Sequence, residues 1–119
     1  MQALAVKAYG EVRNRTADNK SLEHALFEQI TDALREAVDQ EKTDAAKWAD
    51  AVNRNLELWT LLTTDLLHPD NQLPEALRKS LLELSVFVRR HSMQVLSGDA
   101  QLADLIEINE SIMQGLKAL

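Results

Sequence analysis

Residues 68–74, His-Pro-Asp-Asn-Gln-Leu-Pro, separate two long runs of regularly spaced apolar residues. Pro69 disfavours helical geometry at His68, and the fixed φ of Pro74 suits the first position of a new helix. The run before this segment places its apolar residues within about one fifth of a helix circumference, as in an amphipathic helix. These residues are Trp48, Val52, Trp59, Leu62 and Leu66. Residues 48–95 are therefore predicted to form an αα-hairpin.

The second helix of this hairpin carries two apolar arcs. One contains Leu77, Leu81, Leu84, Val88 and Val95, and the other contains Leu82, Val86, Met93 and Leu96. Because two apolar arcs imply neighbours on two sides, this helix is predicted to lie at the centre of the domain. Phe87 falls on the polar stripe of Lys79, Glu83, Arg90 and Gln94. It is expected either to be covered by a segment such as the N-terminal arm or to be available to a partner.

The remaining segments predict two further long helices and one short one. Residues 2–12 fit a short helix, and residues 13–20 fit an exposed basic connector. Ser21 is a good N-cap for a helix ending near Gln40–Lys42, and Thr43 is expected to cap the next helix. Gly98 is expected to end the third long helix, with Asp99 as N-cap of a fourth that begins near Ala100. The predicted fold is all-α, a small up-and-down bundle of four long helices with a short N-terminal helix. A single domain is predicted over 1–119, with an arm over 1–20 and the bundle over 21–117.

The composition narrows the functional classes. The chain of 119 residues has no cysteine, which excludes thiol catalysis, cysteine-ligated zinc and a disulfide framework. The formal net charge of −6 disfavours direct nucleic-acid binding. No apolar run approaches the length of a membrane span and the N-terminus lacks a signal-peptide pattern, so we expect a cytoplasmic protein without membrane insertion.

Catalytic and metal-binding patterns are missing from the sequence. The three glycines are isolated, no nucleophile elbow surrounds a serine, and no Glu-x-x-His pair occurs. His24 and Glu28 share a helix face, whereas the other two histidines, His68 and His91, lie elsewhere. We therefore expect a protein that is not an enzyme and that has no cofactor and no metal site.

Two asparagines occupy positions where apolar residues are expected. Asn55 lies in the Trp48–Leu66 stripe, and Asn109 lies at the centre of the stripe that runs from Leu102 to Leu116. Either they are structural amides that bridge helices, or they contact a partner in a groove. The candidate partner-binding residues are Phe87, Arg90, Trp59, Leu73, Asn55 and Asn109. The Arg89-Arg90-His91 cluster could contact RNA phosphate, but a solvated face is the preferred interpretation.

Several motifs follow one another along the chain: Ala8-Tyr9, Arg13-x-Arg15-Thr16-Ala17, Asn55-x-x-x-Trp59, Asp65-Leu66, Asn71-x-Leu73-Pro74-x-x-Leu77-Arg78, Leu84-Ser85-x-x-Val88 with His91, and Ile106-x-x-Asn109-x-x-Ile112-Met113-x-Gly115-Leu116. Their order resembles the FlaF family of flagellar biosynthesis regulators in alphaproteobacteria. The resemblance covers nearly the whole chain, and its most specific parts are the Leu-Pro turn and the C-terminal tail. Phe87 departs from the family pattern, in which tryptophan is common, but it keeps an aromatic ring.

This resemblance implies a small helical cytoplasmic protein needed for flagellin production and export. FlaF proteins act with FlbT, a regulator that represses flagellin translation through its messenger RNA, and they are expected to bind flagellin as export chaperones. The implied partners are the amphipathic terminal helices of flagellin, FlbT and the flagellar export apparatus. The alternative is a post-transcriptional regulator that acts with FlbT on flagellin mRNA. The family pattern supplies no catalytic residues and no residue-level binding map.

Overall fold

Four α-helices make up most of the computed structural model, which describes residues 19–118, with side chains described for 24–115. In chain order they are α1 (Asn19–Ala37), α2 (Ala45–Leu67), α3 (Glu75–Leu96) and α4 (Leu102–Ala118). No strand occurs within residues 19–118, and the all-helical prediction is confirmed. The short helix predicted over 2–12 lies outside the described residues. None of the four helices is long and apolar enough to cross a membrane.

The connection between α1 and α2 differs from the prediction at both ends. α1 ends at Ala37, before the expected Gln40–Lys42, and it begins at Asn19, so Ser21 is not its N-cap as predicted. Thr43 does not cap α2. Asp44 does, and its carboxylate accepts a hydrogen bond from the Lys47 backbone N–H at 3.1 Å. Aspartate is the stronger of the two N-cap residues, and its charge also complements the positive end of the helix dipole.

The turn between α2 and α3 follows the sequence prediction, apart from one position. His68 is extended, with φ −70° and ψ 136°. Pro74 is the N-cap of α3 instead of its first helical residue, because its ψ of 143° is still extended. Asn71 closes the turn: its Nδ2 donates to the Asp65 carbonyl at 3.1 Å, and its Oδ1 accepts from the Leu73 N–H at 3.0 Å. The αα-hairpin is therefore confirmed.

Gly98 ends the third helix as predicted, but the fourth begins later than expected. The φ of Gly98 is +85°, in the left-handed region, and the N–H of Asp99 donates to the Gln94 carbonyl at 2.8 Å. Asp99 does not act as the N-cap of α4, which starts at Leu102. Its carboxylate instead accepts a hydrogen bond from Ser97 Oγ at 3.1 Å, on the opposite side of the turn.

The helices pack in an up-and-down order. Each packs against its neighbours in sequence, and α1 also packs against α4, which closes the bundle. The α1–α4 and α2–α3 interfaces are the most extensive, and the α3–α4 interface is the smallest of the four. Phe27 contacts Trp59, whereas Thr31, one turn further along α1, is linked through Asn109 to Asn55, one turn earlier in α2. This register shows that α1 and α2 are antiparallel.

The third helix does not lie at the centre of the bundle as predicted, because α2 buries more of its residues than α3 does. α2 contributes the largest set of buried residues: Trp48, Ala51, Val52, Asn55, Leu58, Trp59, Leu61 and Leu66. In α3 only Ser85, Val88, Ser92 and Val95 are buried. The second apolar arc predicted for α3 is largely at the surface, because Val86 and Met93 are more than half exposed.

Candidate functional site

A buried polar network joins three of the four helices at one level. Asn109 of α4 is its centre: Oδ1 accepts a hydrogen bond from Trp59 Nε1 at 3.0 Å, and Nδ2 donates to Asn55 Oδ1 at 2.8 Å and to Thr31 Oγ1 at 3.1 Å. The Thr31 hydroxyl in turn donates to the Phe27 carbonyl at 2.6 Å. All of the side chains that carry these groups are almost completely buried. A buried network of this kind fixes the helix register, because a slip would leave several more polar groups unpaired.

This network decides between the two interpretations of the asparagines. Asn55 and Asn109 are the predicted helix-bridging amides, since they bond to each other between α2 and α4. Trp59 is 2% exposed, and its indole ring packs edge-on against Phe27 with ring centroids 5.8 Å apart. In this conformation Asn55, Trp59 and Asn109 therefore have almost no surface to offer a partner, and their proposed role as partner contacts does not fit the structure.

The network is incomplete at one atom. Asn55 Nδ2 has no hydrogen-bond partner among the described residues, and the same is true of Ser92 Oγ in α3. An unpaired buried donor costs about 1–3 kcal/mol. The cost falls on Asn55 and not on Asn109, so the two amides contribute unequally to the free energy of unfolding.

The outer side of α3 carries three of the four exposed large apolar side chains of the described residues. Val86 is 58% exposed, Phe87 is 48% exposed and Met93 is 56% exposed, and Arg89 and Arg90 lie between them. We call these five residues the α3 face. The sequence contained a signal that Val86 and Met93 are external: on the helical wheel they border the polar residues Glu83, Arg90 and Gln94.

Phe87 is ordered by a contact within the bundle. Its ring stacks on His91, with centroids 5.2 Å apart and an interplanar angle of 17°. His91 Nε2 lies 2.8 Å from Asp104 Oδ2 in the first turn of α4. The sequence pattern did not single out this histidine as a link between α3 and α4, the least extensive helix pair. Phe87 therefore has one face packed and the other open to a partner.

A crevice between α2 and α3 borders the α3 face. Its lining consists of Leu56, Trp59, Thr60, Thr63, Ser85, Val86 and Arg89. Thr63 Oγ1 donates to the Trp59 carbonyl and accepts a hydrogen bond from the Ser85 hydroxyl, each at 2.8 Å, so the hydroxyls tie the helices at the crevice floor. The small Ser85 side chain leaves this space open. The crevice and the α3 face share Val86 and Arg89 and form one continuous surface.

Arg89 and Arg90 give this surface its positive charge. Neither Arg89 nor Arg90 forms an ion pair with another residue in the range 24–115. Arg35 of α1 contrasts with them: it donates to Glu110 at 3.0 Å and to Asp32 at 2.7 Å. The hydrogen bond to Glu110, followed by that to Asp32, raises the pKa of Arg35 above its ordinary value. Arg35 therefore joins α1 to α4, and the α3 arginines remain available.

Leu73 and the histidines take structural positions. Leu73 lies in the α2–α3 turn, where its N–H donates to Asn71 Oδ1. Its side chain is half-buried, so only part of it is accessible. His24 lies 3.7 Å from Glu28, and His68 lies 3.8 Å from Asp70. Within the described part of the chain, no three or more His, Asp or Glu side chains converge as a group that could hold a metal ion.

The described residues form a small four-helix bundle with a polar core network and an apolar, basic face on one helix. A family model described as "Flagellar protein FlaF" matches residues 5–116, and the chain belongs to this family of flagellar proteins. Comparisons with curated proteins and with solved structures gave no significant match.

Proposed function

We propose that this protein is a cytoplasmic, non-catalytic export chaperone or adaptor that binds flagellin and supports its synthesis and secretion. Membership of the flagellar family gives the biological setting. The observation that carries the specific proposal is the α3 face, where three large apolar side chains remain exposed beside a crevice. A monomeric protein rarely leaves such a surface open without a partner for it.

The physical requirement of the client supports this assignment. Under this proposal, the client segments are the amphipathic terminal helices of flagellin, which must be kept from associating through their apolar stripes before export. A chaperone meets this need by covering the stripe in a groove on its own surface. The crevice between α2 and α3 offers such a groove beside the α3 face and next to a packed core, so little conformational entropy is lost on the chaperone side.

The test is titration calorimetry of the full chain with purified flagellin and with flagellin lacking either terminus. A saturable one-to-one complex with a negative heat-capacity change, lost with one terminus, is the expected result. Phe87→Asp should weaken the complex at least thirtyfold, since loss of an aromatic hot spot costs about 2 kcal/mol or more.

Leu67→Asp is the matched control for this substitution. Leu67 is 67% exposed at the end of α2 and does not line the crevice. The control variant should bind flagellin as the wild type does. If no flagellin preparation binds the wild-type chain, the chaperone proposal is wrong, and a regulator acting with FlbT on flagellin mRNA becomes the function to test.

A further inference from the structure

The α3 face combines apolar surface with local positive charge in a chain whose net charge is −6. Arg90 lies between Val86 and Met93 along the helix, and no acidic residue occurs between Glu83 and Asp99. We infer that this face and the α2–α3 crevice bind an amphipathic α-helix whose apolar stripe is bordered by carboxylates. The inference rests on the proposed function for the source of the helix, which would be a terminus of flagellin.

The geometry favours a helix as the ligand. Val86 and Met93 are two turns apart on one side of α3, which corresponds to about 10 Å along the axis. Apolar side chains at i, i+3 or i+4, and i+7 of a partner helix repeat over the same distance. The described residues contain no strand and so provide no sheet edge to which an extended peptide could add. A helix lying along α3 is the ligand shape that fits this surface.

The crevice supplies a position for one apolar side chain of that helix. Leu56 and Val86 provide apolar walls, while Thr63 Oγ1 is already bonded to Ser85 Oγ. Because these hydroxyls satisfy each other, an apolar group can cover them without breaking a hydrogen bond to the protein. Arg89 stands at the rim, where its guanidinium can reach a carboxylate beside the inserted side chain.

The charges favour carboxylates at the border of the stripe. The guanidinium groups of Arg89 and Arg90 have no ion-pair partner within residues 24–115, and arginine binds carboxylates in a bidentate geometry. The exposed side of α1 instead carries Glu28, Asp32 and Glu36, which repel an acidic ligand. Screening limits each effect to about 8 Å at physiological salt, so the local arginines outweigh the net charge at this face.

Two synthetic peptides test this inference. Both are about 20 residues long and share one leucine stripe, but glutamate borders the stripe in one and lysine in the other. Binding to the full chain is measured by fluorescence anisotropy at low and moderate salt. The net charge of −6 alone predicts tighter binding of the lysine peptide. We expect the reverse, with the glutamate peptide binding about tenfold more tightly.

Arg89→Glu/Arg90→Glu should invert this preference, and Val86→Gln/Met93→Gln should weaken binding of both peptides. The matched charge control is Lys47→Glu/Arg54→Glu. These residues lie about 180° around α2 from the crevice residues Leu56 and Thr63, so the control should keep the wild-type preference. Equal binding of the two peptides, or an unchanged preference in the α3 double variant, would overturn the inference.

The same variants separate this inference from the proposed function. If wild-type protein binds flagellin but both α3 double variants bind it equally well, the surface assignment is wrong and the chaperone function stands. If the peptides discriminate as expected but flagellin does not bind, the client assignment is wrong and the surface stands. A dimer of the free protein that Val86→Gln/Met93→Gln dissociates would identify a second copy as the occupant and overturn the inference.

Discussion

Asn109 Nδ2 of α4 donates a hydrogen bond of 2.8 Å to Asn55 Oδ1 of α2, and both side chains are completely buried. The same amide also holds Trp59 and Thr31, so one residue satisfies polar groups on two other helices. The pairing specifies which turn of α4 faces which turn of α2. A purely apolar interface would discriminate less strongly between neighbouring registers.

Asn109→Ala should lower the free energy of unfolding by about 2–4 kcal/mol. The substitution leaves the Trp59 N–H without its acceptor and opens a small cavity, and both effects destabilise the folded state. Urea unfolding followed by tryptophan fluorescence measures the change. Asn53→Ala is the matched control, because Asn53 is exposed on α2 and should change stability by less than about 0.5 kcal/mol. Equal costs at the two positions would contradict the network.

The two glycines of the described chain should respond to alanine with opposite signs. A methyl group added at either glycine would meet no packed neighbour within 4 Å, so packing does not decide the outcome. At Gly98 the φ of +85° disfavours alanine, and Gly98→Ala should cost about 1 kcal/mol or more. Gly115 lies inside α4, where Gly115→Ala should stabilise by up to about 1 kcal/mol. Thermal unfolding of both variants tests the pair, and a shift of the same sign in both would refute the argument.

Sequence patterns predicted the elements of this fold better than their arrangement. His68, Pro74 and Gly98 restrict their own backbone, so the ends of α2 and α3 could be placed from local chemistry. The position of the third helix in the bundle could not be predicted in this way, because an apolar residue such as Val86 looks the same in the sequence whether it is buried or exposed. The sequence predicted only part of the Asn109 network. Asn55 and Asn109 stood out as polar residues in apolar stripes, but only the folded structure shows that Thr31 and Asn55 both bond to the Asn109 amide.

Arg35→Gln should destabilise the bundle slightly and independently of pH over the neutral range. Arg35 is 42% exposed, so loss of its contacts to Glu110 and Asp32 should cost about 0.5 kcal/mol. A pKa raised in the folded state gives stability that is present below the unfolded pKa and is lost only above it. Both values lie far above neutrality, so the difference from wild type should be constant between about pH 6 and pH 9. Unfolding of the wild type and of Arg35→Gln at several pH values measures this difference, with Arg54→Gln as the control. A difference that changed with pH in this range would contradict the role given to Arg35.

Asp104→Asn should loosen the contact between α3 and α4 without unfolding the bundle. Asp104 holds His91 at 2.8 Å and also places negative charge in the first turn of α4, where it favours the helix dipole. The substitution should cost about 0.5–1 kcal/mol and reduce amide protection in the first turn of α4. Hydrogen exchange read by mass spectrometry resolves this segment from α2, whose protection should not change. Phe87 stacks on His91, so Asp104→Asn should also loosen the Phe87 side chain. Because the aromatic ring of Phe87 is still present in this variant, flagellin binding should weaken less than in Phe87→Asp.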